Sequence, residues 1–122
     1  GAGPLGGIHA AMKASSNDAI FVFAGDMPFL SKEIILSQIE AFNSAGCDVL
    51  IPEIEECIEP LHSIYSISLA ENIEAYLNGH HGNAVRDFIK SLNVQCFQVE
   101  GSDLNKRAFT NINSPSDLYF FI

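Results

Sequence analysis

Ile20-Phe21-Val22-Phe23-Ala24 is an unbroken apolar run dominated by β-branched and aromatic residues. Apolar residues without alternation predict a strand covered on both faces, as in a parallel sheet. The run stops at Gly25, a carboxylate follows at Asp26, and Pro28 forbids a continued ladder. Beyond it, Ser31 is placed to cap a helix over residues 31–45, with Ile34, Ile35, Ile39 and Phe42 toward the sheet and Gly46 closing it. Asp48-Val49-Leu50-Ile51-Pro52 reads as a second strand, and Pro60-Leu61-His62-Ser63-Ile64-Tyr65-Ser66 alternates in part and reads as a third. Ser68-Leu69-Ala70-Glu71 has the spacing of a capping box, opening a helix to about Leu77 that Asn78-Gly79 stops. Asn83 is placed to cap another helix, whose apolar face is Val85, Phe88, Ile89 and Leu92. Val94-Gln95-Cys96-Phe97-Gln98-Val99 alternates as a strand, with Cys96 on the core side. Phe109-Thr110-Asn111-Ile112-Asn113 reads as a short strand, and Ser114-Pro115-Ser116-Asp117 as the start of a last helix. At the other end, Gly1-Ala2-Gly3-Pro4-Leu5-Gly6-Gly7 reads as a loop that leads into a helix from Ile8 to Ala14.

Strands alternating with helices predict an α/β fold, a three-layer α/β/α sandwich around a mostly parallel, mixed sheet. The 122 residues suffice for a single domain over 1–122 with a modest core, and 48% hydrophobic residues exclude a disordered chain. No apolar run is long enough to span a bilayer. The formal net charge is −9, which argues against a nucleic-acid surface, since that needs a basic patch. The same balance makes an anionic substrate awkward for this chain alone, whose cations are Lys13, Lys32, Arg86, Lys90, Lys106 and Arg107. Cys47, Cys57 and Cys96 match no zinc spacing and fit reduced thiols in a cytoplasmic protein.

Candidate chemistry centres on Asp26. A carboxylate at the carboxyl end of a buried parallel strand sits where open α/β sheets bind ligands. It is also the hard oxygen ligand that Mg²⁺ prefers, and Mg²⁺ commonly bridges to substrate phosphates. The competing reading of Asp26 is a turn cap before Pro28. Gly6-Gly7 before a helix would let backbone N–H groups approach a ligand closely. His9 reads as a packing or surface residue, and Glu53, Glu55, Glu56 and Glu59 as a solvated acidic loop.

Four blocks stand in one order: Gly3-Pro4-Leu5-Gly6-Gly7-Ile8; Ala24-Gly25-Asp26-Met27-Pro28-Phe29-Leu30; Glu59-Pro60-Leu61-His62-Ser63-Ile64-Tyr65; and Phe109-Thr110-Asn111-Ile112-Asn113-Ser114-Pro115-Ser116-Asp117-Leu118. Together they resemble the molybdenum cofactor guanylyltransferase family, the MobA-like nucleotidyltransferases. That family carries G-P-L-x-G-I, D-x-P-[FY] after a buried strand, P-L-x-x-x-Y, and N-[IV]-N-T-P-x-[DE]-L. The resemblance implies a Rossmann-like nucleotidyltransferase fold and transfer of GMP from Mg·GTP to the phosphate of molybdopterin, with release of pyrophosphate. It implies Asp26 as the Mg²⁺ ligand, and Gly3, Pro4, Leu5 and Gly6 with Asp26 on the nucleotide side. It implies Asn111 and Asn113 on the pterin side, where an amide can both donate and accept.

Two departures accompany the resemblance. The family opens with a strand and a glycine-rich loop, L-x-G-G-x-S-x-R-M-G-x-D-K, which this sequence lacks, so the fold is expected to be N-terminally incomplete and this chain alone inactive. The expected remedy is a missing N-terminal segment, or a second copy, covering an exposed face of the sheet. Secondly, the family often carries a basic residue after the mid-chain helix, where this sequence has His80-His81-Gly82-Asn83 with Arg86 beyond. His81 or Arg86 meeting the pterin phosphate competes there with a plain surface loop. Two other functions stay open: a cytidylyltransferase of the same cofactor, and a non-catalytic module that binds the cofactor or a partner.

Overall fold

The computed structural model describes residues 3–24, 31–79, 85–109 and 118–121. Its elements are α1 (Gly3–Ala14), β1 (Ala19–Ala24), α2 (Lys32–Ala45), β2 (Val49–Ile54), β3 (Cys57–Ile58), β4 (His62–Ser66), α3 (Ala70–Asn78), α4 (Val85–Phe88), β5 (Val94–Val99), α5 (Asp103–Ala108) and β6 (Leu118–Phe121). The strands form one sheet along the path β3-β2-β4-β1-β6, with β5 also paired to β2. The expected mixed sheet is present, but its balance is corrected. Among the described pairings only β2–β5 is parallel, while β1–β4, β1–β6, β2–β3 and β2–β4 are antiparallel. The reason is the insertion of β4 between β1 and β2. Both neighbours oppose β4, so β1, β2 and β5 all point the same way without β1 touching β2.

β1 shows why its sequence carries no alternation. Ile20 and Val22 pack on one face with Leu5, Ile8 and Met12 of α1 and Leu69 and Ile73 at the start and middle of the α3 region. Phe21 and Phe23 pack on the other face with Leu50, Ile64 and, from α2, Ile35, Ala41 and Phe42. Both faces are dry, with Ile20 to Phe23 all buried. β4 and β6 pair with its two edges. The described strand therefore does not present the exposed face that was expected to need a second covering element; α1 and α2 already lie on it.

Several helix boundaries differ from expectation. α1 starts at Gly3, so Gly3, Pro4, Leu5 and Gly6 are helical and not a loop. Leu5, Ile8 and Met12 recur on one face and are fully or almost fully buried. Their burial, at about 25 cal/mol per Å², outweighs the helix cost of Gly6 and Gly7, about 1 kcal/mol each. Pro4 is tolerated because a first-turn residue has no intrahelical N–H bond to lose. On α2, Ser31 accepts from the Ile34 N–H as predicted, and Gly46 closes the helix in the left-handed region at φ 64°. Ile39, expected inward, is exposed; Gln38 takes the buried position. The predicted capping box is absent, since Ser66 caps a short 3₁₀ turn over Ile67–Leu69 and α3 follows it directly. Cys96 is exposed because β5 pairs only with β2 among the described strands, so its outer positions are wet. Leu118–Phe121 is a strand, not part of a last helix, and it ladders against Phe21 to Ala24 of β1. α5 was not predicted, although Ser102 caps it by accepting from the Asn105 N–H.

Candidate ligand rim of the sheet

Because β1, β2 and β5 run the same way, their last residues, Ala24, Ile54 and Val99, finish on one rim of the sheet. β4 runs against them, so its first residue, His62, opens on that same rim and pairs with Phe23. The N-terminus of α2, capped by Ser31, follows the carboxyl end of β1, and α1 returns antiparallel into β1 through residues 15–18. Its first turn, with the Gly3 to Gly6 backbone, therefore lies toward the rim as well. The carboxyl rim of such strands, with helix N-termini beside it, is where open α/β sheets take their ligands.

The Pro60–Tyr65 block acquires a physical reason here. The Tyr65 hydroxyl donates to the Pro60 carbonyl at 2.6 Å, and the Ser63 hydroxyl donates to the Glu59 carbonyl at 2.7 Å. Two side chains from one face of β4 thus hold the turn that leads into it. On the opposite face lies His62, fully buried. Its ring meets Phe21 and Phe23 edge-on at 5.6 and 5.4 Å, and Phe109 packs against it at 4.4 Å. The Gln38 side-chain amide donates to its backbone carbonyl at 2.9 Å. Burial pulls the imidazole down from the usual 6.5 to about 4, so it is neutral near pH 7. Neither ring nitrogen has a hydrogen-bond partner among the described residues.

The acidic stretch is a hairpin and not the expected loop. Glu53 belongs to β2, Ile54 pairs with Cys57, and Glu55 and Glu56 form a two-residue turn with φ 49° and 68°. Positive φ at both central residues is what the right-handed twist of a hairpin favours. Lys106 of α5 holds Glu55 at 2.6 Å, and Glu53 accepts from the Gln98 amide at 2.6 Å. These contacts close the β2 end of the rim. A cavity of about 290 Å³ opens there, lined by Ile54, Glu55, Cys57, Lys106 and Phe109. A second, of about 380 Å³, lies between Ser31 and Ile34 of α2 and Phe97 to Glu100. No group of three or more His, Cys, Asp or Glu side chains suited to a metal occurs among the described residues.

Asp26, Asn111 and Asn113 lie outside the described residues, as do His80, His81 and Asn83. What is described is where their flanks end: Ala24 at the rim before Asp26, and Phe109 on the His62 ring before Asn111. Leu5 points into the core, so only its backbone is available toward a ligand. His9 lies 3.5 Å from Glu74, tying α1 to α3, in keeping with a packing role. Burial pushes the Cys47 thiol up, and Cys57 and Cys96 are exposed. The sequence reading passed over His62. A histidine inside a partly alternating strand, opposite a fully apolar one, was the available signal. No helix among the described residues is long and apolar enough to cross a membrane.

The architecture is therefore that of an α/β protein whose co-directional strands end on one rim, the candidate ligand side of the sheet. Comparison with known proteins makes the assignment narrower: residues 1–96 match the MobA-like NTP transferase domain, and the chain belongs to that family. It is 34% identical over 120 residues to a probable molybdenum cofactor guanylyltransferase of Methanothermobacter thermautotrophicus, covering 97% of this chain and 60% of that protein. It is 32% identical to the molybdenum cofactor guanylyltransferase of Syntrophotalea carbinolica, covering 94% of this chain and 56% of that one. Among solved structures, molybdopterin-guanine dinucleotide biosynthesis protein A from Archaeoglobus fulgidus superposes with a TM-score of 0.72 at 32% identity, covering 93% of this chain and 57% of that chain. A protein from Aquifex aeolicus, at 22% identity and a TM-score of 0.77, shares the fold, with 92% of this chain and 57% of that chain covered. The chain thus spans between half and two thirds of the length of these relatives.

Proposed function

We propose that the complete protein transfers GMP from Mg·GTP to molybdopterin, forming molybdopterin guanine dinucleotide and pyrophosphate. A phosphate oxygen of molybdopterin attacks the α-phosphorus in line. The new phosphoanhydride bond forms as the α–β bond breaks, and pyrophosphate carries away the electron pair. Catalysis of such a step is mainly positioning and charge neutralisation. Asp26 is the proposed protein ligand of Mg²⁺, which when bound neutralises charge on the phosphates. A single carboxylate suits this ion, which is commonly held by one or two carboxylates plus substrate phosphates. Gly3, Leu5 and Gly6 offer first-turn backbone N–H groups on the nucleotide side, and Pro4 fixes that turn without offering one. Asn111 and Asn113 serve the pterin side.

The observation that carries this reading is β1. It is an interior strand, dry on both faces, and it finishes at the rim immediately before Gly25-Asp26. The names of the relatives support the guanine and molybdopterin assignments. The test uses the full-length protein with molybdopterin and GTP, CTP or ATP, reading dinucleotide and pyrophosphate. GTP is expected to be the best donor. Preferential use of CTP would overturn the base assignment, and no transfer from any nucleotide would overturn the reaction. Asp26→Asn is expected to keep the fold and to lower Mg²⁺-dependent transfer by at least about 100-fold. Activity within about twofold of the unaltered protein would remove Asp26 from the metal site.

A further inference from the structure

The cavity beside the β2–β3 hairpin is built from unlike parts. Ile54, Ile58 and Phe109 give it apolar walls, while Glu59, Cys57 and the Glu55–Lys106 pair bring polar groups to it. Both carboxylates are held in place. Glu55 lies against Gly101, where a Cβ would stand 2.9 Å from its carboxylate oxygen, and Lys106 holds it at 2.6 Å. Glu59 accepts from the Leu61 N–H at 3.4 Å. Its own N–H donates to the Pro52 carbonyl at 3.1 Å, and its carbonyl accepts from the His62 N–H at 3.1 Å and the Ser63 hydroxyl at 2.7 Å. Phe109 has His62 against its ring at 4.4 Å and is half-buried, so part of it is open to the cavity.

This lining selects a ligand class. Among the described lining residues two carboxylates meet one cation, Lys106, so a phosphate is disfavoured there. Lys106 already matches Glu55, which leaves Glu59 as the acceptor toward a ligand. A carboxylate accepts two parallel N–H bonds from one planar edge. A neutral ring with such an edge is a 2-amino-4-oxopyrimidine, whose ring N–H and amino N–H point the same way. Phe109 offers that ring a face to stack on. Ligand cavities begin at about 300 Å³, so this one, of about 290 Å³, suits one ring system and not a whole nucleotide.

We propose that this cavity seats the pterin ring of the acceptor, with its N–H edge on Glu59 and its face on Phe109. The inference rests on the transferase reading, in which guanine and the pterin are the two rings that carry this edge. The fold keeps their places apart. Phe109 packs with Ile54, Phe97 and Ile34, and its ring meets His62, which stands on the Phe21 and Phe23 face of β1. The α1 helix, whose first turn is proposed for the nucleotide, packs on the opposite face with Ile20 and Val22. The cavity therefore takes the ring that α1 does not approach.

The first measurement needs no variant. Cys57 lines the cavity and Cys96 does not, yet both thiols are exposed, so one can report occupancy and the other can serve as its control. Iodoacetamide labelling of each is followed by mass spectrometry in the full-length protein, with pterin, its 2-oxo analogue or guanosine added. Pterin at about ten times its dissociation constant is expected to slow Cys57 labelling by about tenfold and to leave Cys96 unchanged. The 2-oxo analogue, which lacks the amino donor, is expected to bind about tenfold more weakly. Stronger protection by guanosine than by pterin would overturn the proposal by placing guanine there, and protection by neither would overturn it outright. The second measurement uses Glu59→Gln, which keeps the shape, and Phe109→Leu, which removes the stacking face. Each is expected to raise KM for molybdopterin by about tenfold with KM for GTP within about twofold. An unchanged KM for molybdopterin in both would overturn the proposal; if either variant fails to fold, the other and the labelling decide it. Pterin protection of Cys57 without any nucleotide transfer would sink the transferase reading and leave the ring site standing. Transfer without protection would leave that reading and sink this one.

Discussion

The buried imidazole predicts a stability profile that can be measured directly. The folded state holds His62 neutral down to about pH 4, whereas the unfolded chain binds its proton near the ordinary 6.5. Between those values the unfolded state carries more protons, so stability rises with pH across the interval. Put the other way, the contribution is fully present above about pH 6.5, falls as acid is added, and levels off near pH 4 once the folded ring also protonates. At about 1.4 kcal/mol per pH unit, the interval corresponds to about 3 kcal/mol. The perturbation that isolates it is His62→Leu, which removes the titrating group and leaves an apolar side chain among Phe21, Phe23 and Phe109. The assay is urea unfolding of both full-length proteins at half-unit steps from pH 7.5 to 3.5, with the slope against denaturant held common. Other groups titrate in both proteins, so they cancel in the difference. That difference is expected to move by about 3 kcal/mol against the histidine-containing protein between pH 6.5 and 4. Two curves that stay parallel throughout would refute the argument, because the ring would then have to be protonated as easily folded as unfolded.

Three further outcomes follow from local geometry. Ser31→Ala removes the acceptor for the Ile34 N–H and is expected to lower stability by about 1 kcal/mol, read by urea unfolding at pH 7.5. Gly46→Ala meets nothing within 4 Å, so its cost is the left-handed backbone alone, about 1 kcal/mol; Gly46→Asn is expected to cost less. Glu56→Gly relieves a positive φ of 68° in the β2–β3 turn, and after glycine's greater freedom when unfolded is subtracted, a gain of about 0.5 kcal/mol is expected in thermal unfolding.

How far the fold could be read depended on whether a segment's signal was local. β1 was legible because a run of apolar residues has few other homes, and α2 because Ser31 and Gly46 mark its two ends by their own chemistry. Gly3 to Gly6 misled because glycine lowers helix propensity, while the burial of Leu5, Ile8 and Met12 that offsets it is tertiary. Ile39 and Gln38 exchanged places because helix periodicity gives a stripe but not its rotation; the bond from Gln38 to the His62 carbonyl lies 24 residues away in sequence. Cys96 was misplaced because alternation cannot say whether a strand is interior or outermost. The rim was legible in outline, through Gly25-Asp26 after β1. His62 was not, since its meaning depends on Phe23 across the ladder and on Phe109 from beyond α5.

The reversed course of β4 has a consequence for how this scaffold can diversify. Strands that finish at the rim deliver their variation through what comes after them, where added or lost residues alter the loops. A strand that begins there delivers its opening side chain from inside the barrier between oil and water. One codon change at that site would therefore alter the packing of Phe21, Phe23 and Phe109 at the rim while every crossover, strand length and outward-facing residue stayed as it is.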